Sequence, residues 1–313
     1  MAEFGTVGRK SKGKRLLHNI LTSWEIYVLL LPTLVYYIIF AYLPMYGIRI
    51  AFTDFNPILG IEGSPWVGLK HFKRFLESPF FWQVIRNTLR ISIYSIAASF
   101  PLAIILALIL NYQRNMAFKR IVQTISYAPH FISTVVMVGM LQIFCSYDGG
   151  LFNIVREMLG AEPINFFGVA ALFDHLYVWS GVWQGLGWSA IIYISALSSI
   201  SPELHEAAIV DGANIWKRIW YIDLPGIAPT VITMFILNSG SVLSVGFEKI
   251  YLMQNAQNST VSEVISTYVY KQGLLKTQYS YSAAVGLFNS VVNFVVLLIV
   301  NTIANKINDT SLF

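Results

Sequence analysis

Charge is what this chain has least of. Only 12% of its 313 residues are Asp, Glu, Lys or Arg, about half of the ~25% usual in soluble domains. Hydrophobic residues make up 56%, and mean hydropathy is +0.60. So little charge cannot keep so much apolar area dispersed in water, which argues against a soluble enzyme and points to lipid as solvent. Cysteine is nearly absent too: Cys145 stands alone, which excludes a disulfide scaffold. The apolar content excludes disorder. Catalytic and metal motifs are also missing, with no H-E-x-x-H, no G-x-S-x-G and no Cys/His cluster, so no catalytic residue and no metal ligand is assigned. Two imitations fail. Gly8-x4-Gly13-Lys14 resembles a phosphate loop, but Arg15 stands at the Ser/Thr position and no strand precedes it. Gly185-x-Gly187-x-x-Ala190 resembles a dinucleotide fingerprint, but lies inside an apolar run.

What is present is long hydrophobic runs. A membrane-crossing helix needs ~20 mostly apolar residues. Six stretches qualify, at about 26–51, 89–110, 121–145, 176–197, 228–251 and 283–303. The expected fold is therefore an all-α membrane protein of six transmembrane helices, with domains at 1–25 (a basic tail), 26–305 (the spans) and 306–313 (a C-terminal tail). The formal charge of +5 does not indicate nucleic acid, because the excess is local. Arg9, Lys10, Lys12, Lys14 and Arg15 precede the first run, with Glu3 alone opposing them. Beside the first span, that cluster orients the chain with both termini cytoplasmic. The run that follows is too long for a secretory h-region and lacks an A-x-A site, so it reads as an uncleaved signal-anchor.

On that orientation, residues 201–225 form a cytoplasmic loop between the fourth and fifth runs. Ser201 is a good N-cap, Pro202 suits the first turn, and Glu203 and Glu206 lie near the positive helix end. Gly212 can end this helix with a positive φ. A second short helix is expected to carry Trp216, Ile219 and Trp220 against the spans, with Leu224-Pro225 breaking it before the fifth span. The first helix is small and acidic, and remains available to a cytosolic partner. Its paired alanines admit close approach, and Glu206 offers a carboxylate to an arginine.

Glu206-Ala207-Ala208, three residues, Gly212, nine residues, Ile222, one residue, then Leu224-Pro225: this pattern resembles the EAA loop of binding-protein-dependent ABC importer permeases at every defining position. The resemblance extends over most of the chain. Trp66-Val-Gly-Leu-Lys-His-Phe, Asn87-Thr-Leu and Tyr127-Ala-Pro-His-Phe-Ile-Ser133 look like the maltose-permease-related carbohydrate branch. Ile194–Leu197, Val245–Glu248, Ile265–Tyr270 and Tyr279–Phe288 resemble a narrower group of polysaccharide and complex-oligosaccharide permeases. Ser244 departs from the amide or acid of that group, which leaves the particular sugar open. The resemblance implies an importer type I-like permease fold in the bacterial cytoplasmic membrane. Glu206, Ala207, Ala208, Asp211, Gly212, Ile222, Leu224 and Pro225 would couple it to an ATPase. It also implies the partners: a second, homologous permease, two ATPase subunits that bind ATP and Mg, an extracytoplasmic solute-binding protein and an oligosaccharide. No cofactor is expected in this chain.

Sugar binding calls for aromatic faces and for amides or hydroxyls. Candidates for the pathway are Trp179, Trp183, Gln184, Trp188 and Tyr193 in the fourth run and Asn238, Ser241, Ser244 and Glu248 in the fifth. The tryptophans could equally form an interfacial belt, Gly181-x-x-x-Gly185 a close helix contact, and the fifth-run polar groups interhelical hydrogen bonds. The external loops at 52–87 and 252–281, the latter with a helix near 261–271, are expected to meet the receptor. The alternative is a multi-span membrane enzyme acting on glycans or lipids. It would need His130, Asp174, His175 and Glu248 to converge.

Overall fold

The computed structural model describes residues 22–308. The five basic residues of the N-terminal tail and the residues after 308 lie outside the described part.

The described chain is helical, with a single isolated β-bridge between Thr53 and Trp66. Helix α1 is Trp24–Phe52, and a π turn at Ile38–Tyr42 carries it past Pro44. Then come α2 (Lys70–Leu76), α3 (Phe81–Tyr112), α4 (Met116–Tyr127), α5 (Thr134–Phe144) and α6 (Leu151–Met158). The rest are α7 (Phe173–Ser198), α8 (Pro202–Val210), α9 (Ile215–Ser239), α10 (Phe247–Met253), α11 (Ile265–Tyr270) and α12 (Tyr279–Asn308).

Four helices are long and apolar enough to cross a membrane: α1, α3, α9 and α12, or five crossings if the bent pair α4–α5 counts as one. Three of the six expected runs differ from a single long apolar helix. The third run is not one helix: beyond the Pro129 turn the chain bends by 101°, and α5 restarts at Ser133, whose Oγ accepts from the Val136 N–H at 3.4 Å. The fourth run does form a 26-residue helix, α7, but its glycines, tryptophans, Asp174, His175 and Gln184 dilute its apolarity. The fifth run ends at Ser239 instead of 251. There Asn293 of α12 takes up the freed backbone: its Oδ1 accepts from the Leu243 N–H at 2.9 Å and its Nδ2 donates to Ser244 Oγ at 2.8 Å. The expected helix near 261–271 is likewise split, into Ser259–Ser262, α11 and a π turn.

Helices α3 and α7 run parallel through the middle. At one end Arg90 pairs with Asp174. At the other, Ala103 and Ala107 pack on Ala190, Tyr193 and Leu197, with Ile227 of α9 closing the cluster. Small side chains permit this approach without a hydrophobic force between lipid-solvated helices. The close contact made by glycine is at Gly187, where an added Cβ would lie 2.2 Å from the Ser126 carbonyl oxygen. Gly185 has open space around it.

The Phe81 end is capped by the segments after α1 and around α11. Phe75 is buried with Val84, Ile265, Tyr268, Tyr281 and Val285. Asn87 donates to the carbonyls of Thr260 and Glu263, both at 2.9 Å. Fully buried Asn258 donates to Phe167 O and Met253 O and accepts from Asn255 N–H and Ser262 Oγ. Lys271 pairs with Glu263 and reaches Gln254 Oε1 at 2.7 Å.

Candidate functional site

At the Tyr112 end of the bundle the loop at 201–225 takes shape from its own capping residues. Ser201 Oγ accepts from the Glu203 N–H at 3.3 Å, and Pro202 fills the first turn of α8. Gly212 sits at φ +74°. Its N–H donates to Ile209 O at 3.0 Å, and the Ala213 N–H donates to Ala208 O at 2.8 Å, the two bonds of a Schellman cap. Asn214 starts α9, its Oδ1 accepting from the Lys217 N–H at 2.9 Å.

No residue of α8 is buried; Glu203, Leu204, Glu206, Ala207 and Val210 are all exposed. Asp211 is exposed, Ile222 and Leu224 are half-buried, and Pro225 is exposed. Two expectations for the second half of the loop are corrected. Leu224-Pro225 does not break the chain, because a π turn at Ile219–Asp223 runs straight into the following α-helix with Pro225 in its first turn. Nor do the aromatics pack on the spans: Trp216 and Trp220 project from the continuous helix, 70% and 65% exposed. Trp216 borders a groove of about 610 Å³ that also touches Ile105, Ile109 and Tyr112.

Sequence reasoning passed over Asp223, the unspecified residue between Ile222 and Leu224. Its carboxylate is fully buried, accepts from Tyr112 Oη at 2.6 Å and faces His205 Nε2 at 3.4 Å. Only the three-dimensional approach of α3, α8 and α9 makes it stand out.

The pathway candidates separate into distinct places. Asn238, Ser241 and Ser244 converge with Ser92 and Ser95 of α3 and Tyr177 of α7 on a polar pocket of about 150 Å³. Trp179 and Trp183 face elsewhere, into an apolar cavity of about 600 Å³ beside Met137, Met140, Phe144 and Phe166. The Trp179 indole N–H donates to Tyr94 Oη at 2.9 Å. Gln184 and Trp188 serve the bend between α4 and α5. Gln184 donates to Ile132 O at 2.8 Å, and Trp188 stacks on His130 with ring centroids 4.4 Å apart. Tyr193 is a core residue against Phe100. Glu248 is exposed in the first turn of α10.

The residues an enzyme would need do not meet. His130 is stacked on Trp188, Asp174 is paired with Arg90, His175 is bonded to Tyr94 Oη at 2.8 Å, and Glu248 faces outward. Among the described residues no group of three His, Cys, Asp or Glu could hold a metal ion.

An exposed, capped helix thus precedes a spanning helix, and a polar pocket lies at that span's far end. Residues 99–309 match the binding-protein-dependent transport system inner membrane component family. The chain belongs to that family. Over 305 residues this permease is 42% identical to the polygalacturonan/rhamnogalacturonan transport system permease protein YteP of Bacillus subtilis (strain 168), covering 97% of this chain and 95% of the relative. A chain of a bacterial ABC transporter involved in the import of the acidic polysaccharide alginate superposes with a TM-score of 0.86 at 37% identity, over 94% of this permease and 99% of that chain. The bacterial alginate ABC transporter in complex with an alginate pentasaccharide-bound periplasmic protein gives 0.87 at 36% identity, over 95% and 100%.

Proposed function

We propose that this permease is one transmembrane half of an ATP-driven importer of acidic oligosaccharides or polysaccharide fragments in the bacterial cytoplasmic membrane. The observation that carries the coupling part is α8: a helix capped at both ends, with none of its residues buried in its own chain, so that its surface is left for another subunit. On this reading Glu206, Ala207 and Ala208 meet the ATPase, and Asp211 and Gly212 set the bend. Ile222, Leu224 and Pro225 lead into the span. The chain crosses the membrane six times with both termini cytoplasmic, counting α4–α5 and α7 as crossings. A homologous second permease completes the pathway. Two ATPase subunits hydrolyse ATP with Mg, and an extracytoplasmic binding protein delivers the sugar to the capped end. The relatives' cargoes, polygalacturonan/rhamnogalacturonan and alginate, support an acidic saccharide.

In alternating access, closure of the ATPase dimer moves α8, the spans open outward to accept the sugar, and hydrolysis resets them. The pocket bounded by Asn238, Ser241 and Ser244 presents hydroxyls and an amide, which suit sugar hydroxyl groups. Two variants test the two parts. Glu206→Lys in the purified complex is expected to weaken ATPase association or coupled hydrolysis about tenfold or more, since it replaces a charge-assisted contact by a repulsive one. Unchanged association and hydrolysis would refute the coupling role. Asn238→Leu is expected to abolish uptake with assembly intact, and normal uptake by that variant would remove the pocket from the pathway.

A further inference from the structure

We propose that His205, Asp223 and Tyr112 form the joint through which α8 moves the bundle; this rests on the coupling reading of α8. The helix that must transmit motion has little hold on its own chain. None of its residues is buried, and Leu204, Ile209 and Val210 are 55%, 55% and 87% exposed. A push on such a helix would be dissipated in the flanking turns unless a side chain ties it to the spans. His205 and Ala208 are the partly buried members of α8; the His205 side chain is 21% exposed, and its Nε2 lies 3.4 Å from Asp223 Oδ1.

Asp223 is where three elements meet. It lies in the π turn of α9, its other oxygen accepts from Tyr112 at the last turn of α3, and Arg218 covers the Tyr112 ring at 5.2 Å. A carboxylate with no exposed surface is costly to hold where an apolar residue would pack as well. Asp223 Oδ1 has no hydrogen-bond partner, and His205 Nε2, at an ion-pair distance of 3.4 Å, is the group that faces it. The arrangement is directional. The α8 side of the joint is partly exposed and the span side is buried, so displacement of α8 pulls on α3 and α9 together. His205 and Tyr112 thus act as positioning residues, through Asp223, on the coupled movement.

The test uses the complete transporter in proteoliposomes, reading sugar moved per ATP hydrolysed beside ATPase association. His205→Ala is expected to leave association and basal hydrolysis within about twofold and to lower sugar moved per ATP about tenfold, the effect of leaving a buried carboxylate oxygen without the group that faces it. His205→Gln, which keeps an N–H donor, should restore most of that ratio, whereas loss of fold alone would not be rescued. Tyr112→Phe should lower the ratio in the same sense. Wild-type sugar per ATP in both His205→Ala and Tyr112→Phe would overturn the joint. If Glu206→Lys uncouples the transporter while these two do not, the joint fails and the coupling role of α8 stands. If Glu206→Lys has no effect, the coupling reading itself fails.

Discussion

The two ends of this permease are built on opposite plans. The capped end, from residues 53–80 and 252–281, is held by buried side-chain amides and hydroxyls that span long sequence separations: Asn87 to Thr260, Thr88 to Ile265, Asn258 to Phe167. The other end presents α8, whose hydrogen bonds are almost all local caps and whose side chains are unburied. The first is finished within one chain. The second takes its precision from helix ends and one buried carboxylate instead of a core. A cross-tied end and an exposed helix suit the roles proposed above for the two faces.

The largest effect should come from breaking the finished end. Asn258→Leu leaves the Met253 carbonyl and the Asn255 N–H without their partner, while the Phe167 carbonyl keeps Asn255 Nδ2 at 3.0 Å. That should cost about 3 kcal/mol, given roughly 1–3 kcal/mol per unsatisfied buried group. A lowered unfolding midpoint in detergent would show it. An unchanged midpoint would mean that this network is not what holds the cap.

At the α8 end a comparable insult should spare stability and strike function. Gly212→Val forces a β-branched residue to φ +74°, a local cost of about 1–2 kcal/mol. The unfolding midpoint should hardly move, because α8 carries no core, while coupled transport falls several-fold. Gly212→Asn, which tolerates that backbone region, should do less harm. Equal losses in the two variants would detach the effect from the cap.

The smallest effect concerns acidity. Lys70 bonding to Asp54 at 2.6 Å holds this carboxyl below its ordinary value, with burial opposing and nearby His71 assisting. A folded-state value below that of the unfolded chain means that the tie is fully present above pH ~4 and is lost as the pH falls through the lowered value. Hydrogen exchange at residues 53–71, corrected for intrinsic rates, should quicken between pH 6 and pH 3, and by much less in Lys70→Met. No difference between the two proteins would exclude this pair as the cause.

Local chemistry was readable from the sequence wherever a residue acts on its own neighbours. Ser201, Pro202 and Gly212 delimit α8 because capping depends on backbone within a few positions. The apolar runs are visible because crossing length is a property of one segment. Pro225 shows the limit: a proline reads as a break, yet the π turn ending at Asp223 leads into a helix that takes this proline in its first turn. Gln184 and Trp188 show another. Both were pathway candidates, and the structure shows them bracing the bend at Pro129; nothing in α7 alone says which carbonyl will need an amide.

Composition and the EAA spacing therefore pointed on their own to a membrane permease with a helix at 202–210, because each depends on residues near one another in the chain. Tertiary structure alone decided that Asn238, Ser241 and Ser244 share a pocket with Ser92 and Ser95, and that Trp179 and Trp183 do not. It alone placed Asp223 between Tyr112 and His205, 111 positions away in one case. Such groupings come from which helix faces meet when apolar area and unpaired polar groups are satisfied together, and that is a property of the whole packed bundle.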